Sequence, residues 1–107
     1  ISIFVMTKTQ LLKKISESSG TDFQKLVWRA LLDIPRGQVV TYAQLAGAIG
    51  RPHSVRAAAN AVGRNPFAPD VPCHRVVRSD GGLGGYSGSG GVETKKKLLA
   101  SEGYIVS

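Results

Sequence analysis

Apolar residues recur at helical spacing through most of this chain, and short apolar runs interrupt them. Over residues 7–18, Leu11, Leu12 and Ile15 fall on one face while Lys8, Lys13 and Lys14 lie off it, which predicts a short basic helix. Residues 16–20 read as a linker. Thr21 followed by Gln24 three residues later is a capping-box signature. Phe23, Leu26, Val27, Ala30 and Leu31 then form the stripe of a second helix that ends before Pro35, with Trp28 as a core anchor. Residues 34–38 predict a turn, and Val39–Val40 a strand of two or three residues. Thr41 with Gln44 repeats the capping box, opening a third helix at Tyr42 that stops at Gly50. Arg51-Pro52-His53 makes the next turn. Ser54 is then expected to cap a fourth helix, Val55–Val62, rich in small residues: Ala57, Ala58, Ala59 and Ala61.

Val71 and the Val76–Val77 pair bracket Pro72-Cys73-His74-Arg75 and predict a short, mostly buried extended segment. Residues 79–91 are dominated by glycine around Tyr86 and Ser87 and read as a flexible loop or wing; they match neither a P-loop nor a dinucleotide fingerprint. A last helix, Val92–Ser101, is expected to turn Val92, Leu98 and Leu99 inward and Lys95, Lys96 and Lys97 largely outward, with Gly103 ending it. The whole predicts a small single α/β domain, mostly helical with short strands and winged helix-turn-helix-like.

Charge changes this picture more than composition does. The 107 residues are 42% hydrophobic and 20% charged, ordinary for one globular domain. Fourteen Lys and Arg against seven acids give a net charge of +7, which favours a polyanionic partner. No stretch approaches the ~20 apolar residues of a membrane span, so no membrane is expected. One cysteine forms no internal disulfide, and no Cys/His set has zinc spacing, so a reducing compartment and no metal are expected.

Helix, tight turn and second helix in a basic domain outline a DNA-binding helix-turn-helix. The alanines of its second helix cannot read base edges, but they let a helix approach a groove closely, as minor-groove binding requires. Arg56 is the long cation among them. The chemistry concentrates at Cys73, the only cysteine, beside His74, one of two histidines. Only a thiolate is a good nucleophile, and an imidazole, directly or through a water, is a usual activator. A buried structural cysteine beside a surface histidine is the competing reading of the pair alone. Glu102 sits where a helix dipole disfavours a carboxylate, so it is either solvated or held by a cationic or imidazole partner.

Pro72-Cys73-His74-Arg75-Val76, preceded by Asn65-Pro66 and followed by Gly85-Tyr86-Ser87-Gly88, resembles the C-terminal domain of the O6-alkylguanine-DNA alkyltransferases, from about Phe23 to Gly103. The resemblance implies a compact α/β domain whose helix-turn-helix binds the minor groove of duplex DNA. The damaged guanine is flipped out, and its O6-alkyl group moves irreversibly to the cysteine with no cofactor. Residues 1–20 would then be a basic helix and linker, and residues 21–107 the DNA-binding and active-site domain. Cys73 would be the acceptor, His74 its base through a water, and Glu102 the group that orients the imidazole. Asn65 would hold the turn around the site. Tyr42 would help rotate the nucleotide and donate to the guanine ring, Ser87 would donate to O6, and Tyr86 would wall the pocket. Backbone carbonyls of Cys73 and Val76 would read the guanine amino group. Arg56 would take the flipped base's place in the stack, with Ala57, Ala59 and Arg64 on the DNA-facing surface, and Arg75 would serve as a structural anchor.

The chain also departs from the full alkyltransferases. The residues before Thr21 are too few for their separate N-terminal domain, and the segment from Ser87 to Glu102 is about two residues longer than their pattern. Single-domain relatives of this size, the alkyltransferase-like proteins, lack the cysteine and flag lesions for excision repair. Two functions therefore follow from the resemblance: a single-turnover methylated-DNA–protein-cysteine methyltransferase, or a non-catalytic lesion binder with excision-repair proteins as partners. An unrelated basic DNA binder or Cys-His hydrolase is the third class. A monomer in the cytoplasm or nucleoid, or in the nucleus of a eukaryote, is expected.

Overall fold

The computed structural model describes residues 7–86, 88 and 90–104. Five helices, α1 (Lys8–Glu17), α2 (Asp22–Leu31), α3 (Tyr42–Ala48), α4 (Val55–Gly63) and α5 (Gly91–Ser101), surround a two-stranded sheet. The strands are β1 (Val40–Thr41) and β2 (Val76–Val77), and a single 3-10 turn, Cys73–Arg75, leads into β2. Three helices start with the same device. Thr7, Thr21 and Thr41 each accept from the backbone N–H of a glutamine three residues on, and that glutamine's side chain returns the bond. Each pair satisfies two amide groups that the helix leaves unpaired, about 1 kcal/mol for the threonine bond. The first strand sits one residue later than the apolar run suggests. Thr41 therefore closes β1 and caps α3 at once.

β1 and β2 pair in parallel, Val40 with Val76 and Thr41 with Val77. Parallel neighbours need a long crossover, and α3 and α4 supply it. The pairing carries Tyr42, the first residue of α3, to the segment that follows Cys73.

The core runs through α1, α2, α3 and α4 to the underside of the Cys73 turn. Ile15, Val27, Leu31, Ala46, Ala58, Val71 and Val76 are fully buried within it. Leu11 and Ile15 place α1 in the same core as the rest. Trp28 is the expected anchor: its indole N–H donates to the carbonyl of Ala61 at 2.8 Å, and its ring meets Phe67 edge-on. The alanines of α4 divide by face. Ala58 and Ala61 are core, Ala57 is exposed and Ala59 is half-buried. Close packing of α4 against the core thus accounts for part of the alanine content assigned above to groove approach. Among the described residues no helix is long and apolar enough to cross a membrane.

Four expectations are corrected. Cys73 lies in the 3-10 turn and not in an extended segment, because Arg75 N–H closes back on the Pro72 carbonyl at 3.1 Å. With three residues per turn, the side chains of Cys73, His74 and Arg75 leave in three directions; a strand would send the first and third the same way. Ser54 makes no capping bond, since its backbone (φ −108°, ψ 37°) is outside the extended region a capping side chain needs. Lys95, expected outward, is fully buried. On α5 it shares a stripe with Leu99 and Glu102, at i, i+4 and i+7. Val92 lies one turn before that covered stretch and is 44% exposed, not inward.

Candidate active site

The glycine-rich segment, the start of α3 and the end of α4 enclose a cleft of about 640 Å³, a volume that suits a small ligand. Tyr42, Ala59, Asn60, Cys73, Arg78, Gly84, Gly85 and Tyr86 line it. Each arrives for a local reason. Tyr42 follows the cap that starts α3, and Cys73 opens the 3-10 turn. Gly84 lies at φ +75°, where a Cβ would come within 2.7 Å of the Tyr42 hydroxyl, so only glycine lets loop and phenol meet.

Asn65 supports the turn before Cys73. Its side-chain amide donates to the Val71 carbonyl at 2.8 Å, and its oxygen accepts from the Phe67 N–H at 2.9 Å. The amide is buried, and these bonds bind the end of α4 to the segment carrying the cysteine.

Behind Cys73 lies a buried charged group. His74 Nε2 meets Glu102 Oε2 at 2.8 Å, with both side chains almost wholly covered. Arg75 closes on the same carboxylate with two bonds, Nε to Oε1 at 2.9 Å and Nη2 to Oε2 at 2.9 Å. Its third donor goes to the Ile34 carbonyl at 2.8 Å. The carboxylate at the end of α5 is therefore held by both an imidazole and a guanidinium. Burial by itself pushes the Glu102 carboxyl up, but the Arg75 and His74 hydrogen bonds and charges outweigh it and hold it at about 2. Burial lowers the proton affinity of His74 more than the Glu102 bond and charge raise it, and Arg75 and Lys95 push the same way as burial. A neutral imidazole donating through Nε2 has its lone pair on Nδ1. That nitrogen is buried and has no hydrogen-bond partner among the described residues.

Lys95 is the residue that sequence reasoning missed. Its ammonium donates to the carbonyls of Val76, at 2.7 Å, Gly85, at 3.1 Å, and Leu83. It lies 5.9 Å from the centre of the Tyr42 ring. One cation thus ties the floor of the cleft to its glycine-rich wall. Burial draws its pKa down to about 8, against the opposing pull of Cys73. The available signal was its i, i+4 relation to Leu99, which the run of three lysines concealed. Burial, with a smaller contribution from Cys73, raises the pKa of Tyr42 and Tyr86, so both are hydroxyl donors at neutral pH.

The other residues singled out from the sequence are placed as follows. Val76 is fully buried beneath the cleft, and its carbonyl already accepts from Lys95. Arg56 and Ala57 are exposed on α4, Arg64 is exposed at its end, and Ala59 reaches the cleft. Ser87 lies outside the described residues.

The comparisons with known proteins agree with one another. Residues 22–104 match the family model described as 6-O-methylguanine DNA methyltransferase, DNA binding domain. A methylated-DNA–protein-cysteine methyltransferase of Salmonella typhimurium is 51% identical over 89 residues, 83% of this chain and 51% of that protein. Mycobacterium tuberculosis OGT in complex with DNA superposes with a TM-score of 0.74 at 49% identity, over 78% of this chain and 50% of that one. S. pombe Atl1, in complex with damaged DNA containing O6-carboxymethylguanine, superposes with a TM-score of 0.68 at 31% identity, over 80% of each chain. The chain spans about half the length of the curated methyltransferases it matches. With the cysteine, the histidine–glutamate pair and the cleft in one domain, this chain belongs to the family of the 6-O-methylguanine DNA methyltransferase DNA-binding domain, the O6-alkylguanine DNA alkyltransferases of DNA repair.

Proposed function

We propose that this chain takes an alkyl group from O6 of guanine in duplex DNA onto Cys73 and keeps it. The observation that carries the proposal is the position of Cys73, in the wall of a cleft and directly before the buried His74–Glu102 pair. Glu102 accepts the Nε2 proton and so selects the tautomer whose Nδ1 can accept another. His74 takes the thiol proton there, through a water. The thiolate attacks the alkyl carbon in line: the S–C bond forms and the C–O6 bond breaks. Guanine leaves with the electron pair, stabilised by a hydrogen bond from the Tyr42 hydroxyl to the ring and by one from Ser87 to O6, and regains a proton from solvent. The thioether has no hydrolysable bond, so one molecule accepts one group, and no cofactor is required.

The purine reaches this cleft only if it leaves the helix. Arg56 on α4 fills the space it vacates, Ala57 and Ala59 let the helix approach the minor groove, and Arg64 meets a phosphate. Tyr86 and the glycine-rich segment wall the extrahelical base, and the carbonyls of Cys73 and Val76 accept from its amino group.

A second reading is a lesion binder that flags alkylguanine without removing the alkyl group. The superposition on S. pombe Atl1, whose structure holds damaged DNA containing O6-carboxymethylguanine, favours it. Intact-mass spectrometry after incubation with an O6-methylguanine oligonucleotide separates the two. One added methylene, absent in Cys73→Ser, supports transfer; preferential binding to lesion duplex with no change in mass supports the second reading. Equal affinity for damaged and undamaged duplex with no change in mass rejects both.

A further inference from the structure

The Glu102 carboxylate serves two partners. Its Oε1 takes Arg75 Nε, and its Oε2 takes both Arg75 Nη2 and His74 Nε2. Arg75 is anchored on its far side by the Ile34 carbonyl, in the turn between α2 and β1. The same turn grips the end of α5 again: Arg36 donates to the Ser101 carbonyl at 2.9 Å, and Gly37 runs so close that a Cβ there would stand 3.0 Å from the Glu102 carbonyl.

We propose that Arg75 is a positioning residue that divides the Glu102 carboxylate between itself and His74, and thereby fixes how strongly the imidazole holds a proton. The proposal rests on the alkyl-transfer reading above, in which His74 must be neutral to accept the thiol proton.

The charged groups facing His74 are few. Lys95 comes from α5 and Glu102 from its C-terminal cap, Arg75 comes from the histidine's own turn, and no other element contributes a charge among the described residues. A carboxylate owned by the imidazole alone would stabilise imidazolium and keep the base protonated well into the neutral range. The guanidinium prevents this in two ways. It spends part of the carboxylate's negative charge, and it places a positive charge near the ring that repels the incoming proton. Its bidentate grip also leaves the carboxylate one orientation, with Oε2 toward the ring. A lysine could supply the charge but not the fork.

The test uses the full chain, Arg75→Gln and Arg75→Lys, with two measurements on each. The first follows the His74 ring by NMR as pH is varied. The second follows alkyl transfer from an O6-methylguanine duplex by intact mass across the same range. In Arg75→Gln the His74 midpoint should rise by about one pH unit, and the acid limb of transfer should move up with it. In Arg75→Lys the midpoint should stay near that of the parent while transfer slows, because charge is kept and orientation is lost.

An unchanged midpoint in folded Arg75→Gln overturns the proposal, whatever happens to its melting temperature. If Arg75→Gln does not fold, Arg75→Lys decides: a retained midpoint with slower transfer supports it, and a midpoint raised by about one unit overturns it. The NMR measurement does not need turnover. Should the parent chain take up no methyl group, the transfer reading falls while the influence of Arg75 on His74 is still measured.

Discussion

His74 and Glu102, 28 residues apart in sequence, meet through a 2.8 Å hydrogen bond with both side chains buried. A buried carboxylate persists only when its partners repay the lost hydration. Here the imidazole and the Arg75 fork do so, and they leave His74 with one ring nitrogen able to receive a proton.

Removing that carboxylate should therefore affect both rate and stability. Glu102→Gln should slow alkyl transfer about 100-fold, the scale of a lost general-base contribution. It should also cost about 3 kcal/mol, since Arg75 is left partly buried with no counter-charge. Single-turnover kinetics and chemical denaturation measure the two effects.

The acid response has a definite sign. The folded carboxyl is held at about 2, below its ordinary 4.5, so its contribution is complete above pH 4.5 and disappears as pH falls through about 2. The unfolding free energy of the parent chain should fall across that window. In Glu102→Gln the same curve should be flatter, and parallel curves would reject the linkage.

Lys95→Met should test the tie between the cleft's floor and wall. It fills similar space but leaves three carbonyls, those of Val76, Leu83 and Gly85, without their cation. A loss of about 3 kcal/mol is expected from acceptors left buried and unsatisfied. Amide exchange at Gly84 and Gly85 should speed up well beyond that at Trp28, whose bond to Ala61 does not involve the loop.

Gly84→Ala should act on the cleft directly. The new methyl would sit within 2.7 Å of the Tyr42 hydroxyl, at a φ of +75° that side chains rarely adopt. The backbone strain alone costs about 1–3 kcal/mol. Transfer should slow for a bulky O6 substituent more than for methyl, because Tyr42 and the loop part by narrowing the space between them and α4. An equal loss for both groups would place the effect elsewhere.

On the DNA-facing side, Arg56→Ala should slow transfer in duplex more than transfer from free O6-benzylguanine, since only duplex needs a base to be extruded. Binding to undamaged duplex should weaken steeply with salt, by a slope of about −0.9 for each phosphate neutralised. Equal losses in duplex and free base would remove Arg56 from the flipping step.

Much of this molecule is legible along the chain. The Thr21–Gln24 and Thr41–Gln44 boxes are local, made within one turn, and both form as the pattern predicts. Of the stripe Phe23, Leu26, Val27, Ala30 and Leu31 that the spacing of α2 marks, Val27 and Leu31 are buried and the other three half-buried, and the expected anchor Trp28 is buried beside them. Less local features are harder to read. The Pro72–Val76 segment has the composition of a strand, yet two successive backbone bonds, Arg75 N–H to the Pro72 carbonyl and Val76 N–H to the Cys73 carbonyl, curl it into a 3-10 turn. Ser54 has the residue type of a cap without the backbone that lets a cap act. Lys95 stands among three lysines that no composition rule can tell apart; only the face on which α5 lands selects the one that is buried.

By itself, then, the sequence determined the helices, their starts, the basic character of the domain and the pairing of a unique thiol with a neighbouring imidazole. These depend on contacts within a few residues, or on charge, which needs no fold to be counted. Only the tertiary structure decided that the Tyr42 phenol and Cys73 line one cleft beside a parallel strand pair, that Lys95 holds the cleft together, and that Glu102 is shared between His74 and Arg75. Each of those contacts joins groups distant in the chain: apolar packing brings their elements together, and a buried charge then stays only where partners that the sequence order does not reveal repay its lost hydration.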